Sequence, residues 1–200
     1  MVYNPLSMVI KGHVMNKNLV RIYTDGSRMP KPNVGGLGIY LEYNEDKFYY
    51  YGGKIIADSL EMEMLGVINA LNILKEKNLL NGETTLIFYT DVASIAHQIK
   101  KYKKTKNNNV KIFKNKRNHW ENILSLVKDV DINFRWVKGH DKTMGNIIAD
   151  KLAEKGRKKA ILNRSFILEV KEDDNYLEEI NIHDKDYEQE IQLLIKEKSL

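Results

Sequence analysis

Two hundred residues, 42% apolar and 9% aromatic, allow one domain of ordinary size with a small appendage, able to bury a core. No cysteine is present, which excludes disulfides and thiolate metal sites and restricts any metal site to oxygen or imidazole donors. The net charge of +5 is unevenly spread: residues 160–200 carry −6, residues 1–159 carry +11, and His97 to Asn118 holds nine Lys/Arg and no acid, which reads either as a surface for a polyanion or as a solvated lysine-rich face.

Residues 1–18 lack the continuous apolar segment of a signal peptide and are expected to form a loose arm. No stretch approaches the ~18 apolar residues of a membrane span, so no membrane partner is expected and the cytoplasm is the expected location. Leu19–Thr24 reads as a strand, Lys31-Pro32-Asn33 as a turn, Val34–Leu41 as a second strand and Lys47–Ile56 as a third. Their short connections predict an antiparallel meander, with Gly52-Gly53 marking a bulge. Ser59 to about Leu79 is a helix, capped by Asp58 or Ser59, with Leu60, Met64, Val67, Leu71 and Leu74 on one stripe.

Thr84–Thr90 is apolar through its centre, as in a strand covered on both faces. Val92–Ile99 opens a short helix, and the basic stretch 100–118 has no clear period, with a turn expected at Asn107-Asn108-Asn109. Trp120–Val127 is an amphipathic helix, Ile132–Val137 alternates as a strand, and Thr143–Gly156 is a helix with Gly156 as its C-cap. The order β-β-β-α-β-α-α-β-α predicts an α/β domain: a five-stranded mixed sheet, its first three strands antiparallel, with helices on its faces. From Ala160 the composition turns acidic after a short apolar run, Phe166–Val170.

Two strands end in Thr-Asp, at Thr24-Asp25 and Thr90-Asp91. Each acid alone could be a turn residue or a helix cap. Glu63 is more telling. At ~100° per residue it lies within ~60° of Leu60, Val67 and Leu74, on the face that meets the sheet, whereas Glu61 falls on the opposite, solvated side. A carboxylate on a core-facing stripe needs compensation, from a basic partner or from a metal ion shared with Asp25 and Asp91. Past the last strand come His140, Asn146 and, one turn later, Asp150. Such a set of carboxylates with one imidazole suits phosphodiester hydrolysis with Mg²⁺ or Mn²⁺.

Tyr23-Thr24-Asp25-Gly26-Ser27, Met62-Glu63-Met64-Leu65, Tyr89-Thr90-Asp91, Trp136-Val137-Lys138-Gly139-His140 and Asn146…Asp150, in this order, resemble the type 1 ribonuclease H family over roughly Leu19 to Ala160. The resemblance implies the RNase H-like fold and an endoribonuclease that cuts the RNA strand of RNA–DNA hybrids, leaving 5′-phosphate and 3′-hydroxyl ends. It implies Asp25, Glu63, Asp91 and Asp150 as ligands of two Mg²⁺ ions, with Mn²⁺ able to substitute, and His140 as a mobile group assisting proton transfer or product release. It places Gly26 and Ser27 near the substrate backbone and Asn146 beside the active-site helix. Residues 99–120 resemble a basic handle for the hybrid, with Lys100, Lys101, Lys103 and Lys104 on it and Trp120 where it closes against the body.

Three positions depart from the family pattern. Ser59-Leu60-Glu61 stands where relatives carry asparagines that read the RNA strand, Val92-Ala93-Ser94 follows Asp91, and Ile147 replaces an acid of some members. The expected organisation is an N-terminal arm (1–18), a catalytic domain (19–160) and an acidic C-terminal extension (161–200). The expected state is a monomer, acting alone or beside a replication or reverse-transcription partner. Two alternatives remain: another nuclease or transferase of this fold, whose acid pattern would differ, and a catalytically silent hybrid-binding module, against which the intact acid set argues.

Overall fold

The structure is a computed structural model that describes residues 8–10, 13–15, 18–105, 116–137, 143–165 and 167–173. In the N-terminal segment, Met8–Ile10 (β1) and His13–Met15 (β2) pair antiparallel, so this stretch contains a hairpin rather than only a loose arm. Val9 and Val14 are direct partners in it, β-branched residues that favour strands.

Asn18–Met29 (β3), Val34–Tyr43 (β4) and Asp46–Ile55 (β5) form the antiparallel meander. Next come Ser59–Glu76 (α1), Thr84–Thr90 (β6), Ala93–Thr105 (α2), Arg117–Val127 (α3), Ile132–Trp136 (β7), Met144–Leu162 (α4) and Glu169–Glu172 (β8). The main sheet runs β7-β6-β3-β4-β5-β8, with β7, β6 and β3 mutually parallel. It has six strands where five were expected. The added strand, β8, comes from the segment after α4 and pairs antiparallel with β5. The boundary expected at Ala160 therefore falls inside α4, and part of the extension belongs to the sheet.

Successive residues of a strand face opposite sides, and the sheet buries both. Val20, Ile22, Leu37, Ile39, Leu86, Phe88, Ile132 and Phe134 share one core with Met64, Val67 and Leu71 of α1, Ile95 and Ile99 of α2, and Trp120, Ile123 and Val127 of α3. Each such side chain contributes about 1.5–3 kcal/mol by leaving water. On the opposite face Tyr40 and Tyr49 pack with Ile148 and Leu152 of α4. A row of cross-strand tyrosine partners runs there: Tyr89 stacks on Tyr23 at 4.5 Å, Tyr23 on Tyr40 at 5.8 Å, and Tyr40 on Tyr49 at 5.3 Å.

Two glycine expectations are corrected. Gly52-Gly53 makes no bulge, because the β4–β5 register is continuous through it. Gly156 is not a C-cap, because α4 continues to Leu162. Both belong to one close approach of helix and sheet: a Cβ on Gly156 would lie 2.2 Å from the Gly52 carbonyl oxygen. Gly38 plays the same part nearer the site, where a Cβ would lie 2.0 Å from the Ala149 carbonyl oxygen. No described helix is long and apolar enough to cross a membrane.

Candidate active site

The acid of the first motif does not end its strand. β3 runs four residues beyond Asp25 and stays paired with β4, Asp25 opposite Gly38. On its other side the parallel pairing with β6 ends at Tyr23↔Tyr89. Asp25 thus lies just where one neighbour has stopped, leaving that flank of the strand open to other groups. Asp91 immediately follows β6, in a turn where Thr90 Oγ1 accepts from the Val92 amide at 3.2 Å.

Glu63 comes from the other layer. The Asp58 side chain accepts from the Glu61 amide at 2.8 Å and starts α1, which sets the helical phase that turns Glu63 inward. Glu63 is only 7% exposed. It passes Gly26, where a Cβ would lie 2.8 Å from the Glu63 Cδ and 2.9 Å from its Oε1. The absence of a side chain at Gly26 is therefore a geometric requirement for Glu63 to reach Asp25. One carboxylate oxygen each of Asp25, Glu63 and Asp91 lies within 4.8 Å of the others. Asp150, projecting from α4, is hydrogen-bonded to Asp25 through its side chain.

These charges oppose one another. Burial, the hydrogen bond that the protonated Asp25 carboxyl donates to Asp150, and the charges of Asp91 and Asp150 push the Asp25 carboxyl up to about 8, offset in part by the Gly26 amide, which donates to Asp25 Oδ1 at 2.9 Å. Burial, followed by the charges of Asp25 and Asp91, raises the Glu63 carboxyl well above its usual range. Glu63 Oε2 is buried without a hydrogen-bond partner among the described residues. A divalent cation fits this donor set: it would satisfy the orphaned oxygen, cancel the repulsion and find only hard oxygen ligands.

The remaining expected residues separate into groups. His140 lies outside the described residues. Asn146 is buried one turn ahead of Asp150, and its backbone amide donates to the Thr143 carbonyl at 3.1 Å. Ser27 Oγ accepts from Arg157 Nε at 3.2 Å, which ties β3 to α4 beyond Asp25. Lys100, Lys101 and Lys104 are exposed along α2. Lys103 is not available for phosphate: its Nζ donates to the carbonyls of Val130 and, at 3.1 Å, Ile132, and burial lowers its pKa. Trp120, at 1% exposure, is a core residue of α3 and presents no face to a ligand.

Sequence reasoning missed an ion-pair network at the start of α1. Lys116 bonds Asp58 and lies 3.6 Å from Glu61, which also pairs with Lys54. Glu61 is consequently half-buried rather than solvated, and the end of the basic segment is fastened to the helix that carries Glu63. No local signal announces this, because Lys116 and Asp58 are 58 positions apart.

The RNase H family model matches residues 17–158. The ribonuclease H of Rickettsia typhi is 35% identical over 149 residues, spanning 71% of this chain and 93% of that protein. The ribonuclease HI of Rickettsia prowazekii is 34% identical over 149 residues, with the same two coverages. Among solved structures, LC9-RNase H1, a type 1 RNase H with the type 2 active-site motif, superposes with a TM-score of 0.62 at 19% identity, over 84% of this chain and 83% of that one. LC11-RNase H1 in complex with an RNA/DNA hybrid gives 0.53 at 18% identity, over 71% and 99%. The family model and the curated relatives agree, and this chain belongs to the RNase H family, in its type 1 branch, as an enzyme of that family.

Proposed function

We propose that the chain is an endoribonuclease that hydrolyses the RNA strand of RNA–DNA hybrids, leaving 5′-phosphate and 3′-hydroxyl ends. The observation that carries the reading is the convergence of Asp25, Glu63 and Asp91 within 4.8 Å, with Asp150 hydrogen-bonded to Asp25. Four carboxylates, two from neighbouring strands and two from helices on opposite faces of the sheet, are held against their own repulsion, an arrangement that divalent cations stabilise. Asp25, Glu63, Asp91 and Asp150 would hold two Mg²⁺, or Mn²⁺ in their place, which when bound supply activation of water and charge stabilisation at the scissile phosphate.

The chain's own groups do the rest. Asp25 is the central ligand, oriented by the Gly26 amide. Glu63 enters over Gly26 and brings the second layer to the centre. His140, between Asp91 and Asp150 in sequence, assists proton transfer or product release. Lys100, Lys101 and Lys104 hold substrate phosphates through salt-dependent contacts, and duplex shape with the RNA 2′-hydroxyl, rather than base sequence, selects the substrate. The hybrid seen on LC11-RNase H1, a relative in fold, supports this choice of ligand. The enzyme acts as a monomer in the cytoplasm.

The test is cleavage of a labelled RNA–DNA hybrid, with single-stranded RNA, double-stranded RNA and double-stranded DNA alongside, with Mg²⁺ and with EDTA. Mg²⁺-dependent cutting of the RNA in the hybrid alone is expected. Hybrid binding without cleavage in either Mg²⁺ or Mn²⁺ would assign the chain to a silent binding module instead.

A further inference from the structure

Trp136 is the last residue of β7 and stands opposite Thr90 in the parallel register with β6. Its indole N–H donates to the backbone carbonyl of Asp91 at 2.8 Å, and the Val137 amide donates to the Thr90 carbonyl at 3.0 Å. The ring is thus held at a fixed place beside a candidate metal ligand. It is nevertheless 55% exposed. A single exposed apolar side chain is ordinary, but this one is oriented by a hydrogen bond to the site. Met144 and Ile147 in the first turn of α4, the helix that carries Asp150, are exposed as well.

Strand order supplies the direction. Asp25 lies on β3, Asp91 follows β6 and Trp136 ends β7, three adjacent strands about 4.8 Å apart. α2, with Lys100, Lys101 and Lys104 exposed, packs against β6 and β7. Trp136 thus stands at the carboxylate end of β7, whereas Lys103, among the α2 lysines, reaches the Ile132 carbonyl at the strand's start.

We propose that Trp136 is a substrate-contacting residue whose exposed indole face packs against the sugar–phosphate backbone of the bound hybrid, beside the carboxylate cluster. The inference rests on the hybrid-cleaving reading above. A pentose offers an apolar C–H face to an aromatic ring even when its base is paired and out of reach. The bond to the Asp91 carbonyl pre-orders the indole, so that little rotamer freedom is lost on binding.

The composition makes a direct test possible. The chain has two tryptophans, and Trp120 is buried, so quenching of intrinsic fluorescence by iodide reports Trp136. The full chain is titrated in EDTA with a short RNA–DNA hybrid, binding being followed separately by mobility shift. The hybrid is expected to shield the emission from iodide, and Trp136→Phe to remove the quenchable fraction. Trp136→Ala is expected to weaken hybrid binding about five- to tenfold, in KM rather than kcat, while Trp136→Phe, which keeps a ring and loses the N–H, stays within about twofold of the parent. A hybrid that shifts the protein but leaves iodide access unchanged overturns the proposal. So does a Phe variant as impaired as the Ala variant with the loss in kcat, which would leave Trp136 only a prop for Asp91. A parent chain that binds no hybrid removes the functional reading, and this contact with it.

Discussion

Gly26 and Glu63 share one space: the carboxylate of the helix occupies the volume that a side chain on the strand would fill, 2.8 Å from Glu63 Cδ to the Cβ position of Gly26. Gly26→Ala therefore cannot be absorbed without moving Glu63 or the start of α1. Cleavage is expected to fall by about a hundredfold or more, since misplacing a catalytic group by ~1 Å costs on that order. Circular dichroism should show the fold retained. Near-parental kcat for this variant would contradict the placement of Glu63.

The four carboxylates set the response to pH and metal. Folding raises the Asp25 carboxyl from 3.8 to about 8, and Glu63 also rises. Their contribution to stability is therefore full below the unfolded values and is lost as pH rises through the folded ones. In EDTA the melting temperature is expected to decline from about pH 4 to about pH 8 on account of these groups. Mg²⁺ should reverse the decline at the upper end, with protons released on binding. Melting curves across pH, with and without Mg²⁺, check this.

Asp25→Asn and Asp91→Asn separate stability from activity. Each removes one repelling charge while keeping the size of the side chain, so the metal-free fold is expected to gain about 1–2 kcal/mol at pH 8. Cleavage should be abolished in both. Urea unfolding in EDTA and a hybrid-cleavage assay measure the two effects, and an active Asp25→Asn variant would remove the metal-ligand assignment.

The lysines of α2 divide by position. Replacing Lys100, Lys101 and Lys104 together by Ala should weaken hybrid binding and flatten the slope of log K against log salt by about two to three. Lys103→Ala should leave that slope unchanged and instead cost about 1–3 kcal/mol, because two carbonyls near β7 lose their donor. Equal effects of Lys103 and its neighbours on the salt slope would refute the division.

Helix α4 rests on backbone. Gly38→Ala would drive a methyl to 2.0 Å from the Ala149 carbonyl oxygen, one residue before Asp150. A loss of about 3 kcal/mol or more is expected, with kcat falling in parallel because the helix carrying Asp150 must lift. Thermal melts and single-turnover cleavage test this.

The sequence made the polar logic of the site legible because it is local. Helical phase alone turned Glu63 toward the sheet, and Thr-Asp after an apolar run marked Asp25 and Asp91. The rest depends on contacts between distant segments. Nothing near Asp25 says that β3 outruns β6 there, nothing near Gly156 says that Gly52 lies against it, and the partners of Glu61 and Lys103 arrive from elsewhere in the chain. Trp120 shows the same dependence, since an aromatic beside a basic run looks alike whether it meets a nucleic acid or the core, and only its burial places it in the core.

The short strand β8 has a consequence beyond the catalytic chemistry. Without it, β5 would present a row of unpaired amides and carbonyls, a template on which a second chain could assemble. β8 occupies that row and offers in its place four residues, Glu169, Val170, Lys171 and Glu172, three of them charged. Lys155 of α4 fastens its end through Asp173 at 2.8 Å. β8 thereby covers an edge on which self-templating aggregation could begin, and a chain cut at Leu162 is expected to keep its carboxylates yet to aggregate at lower concentration.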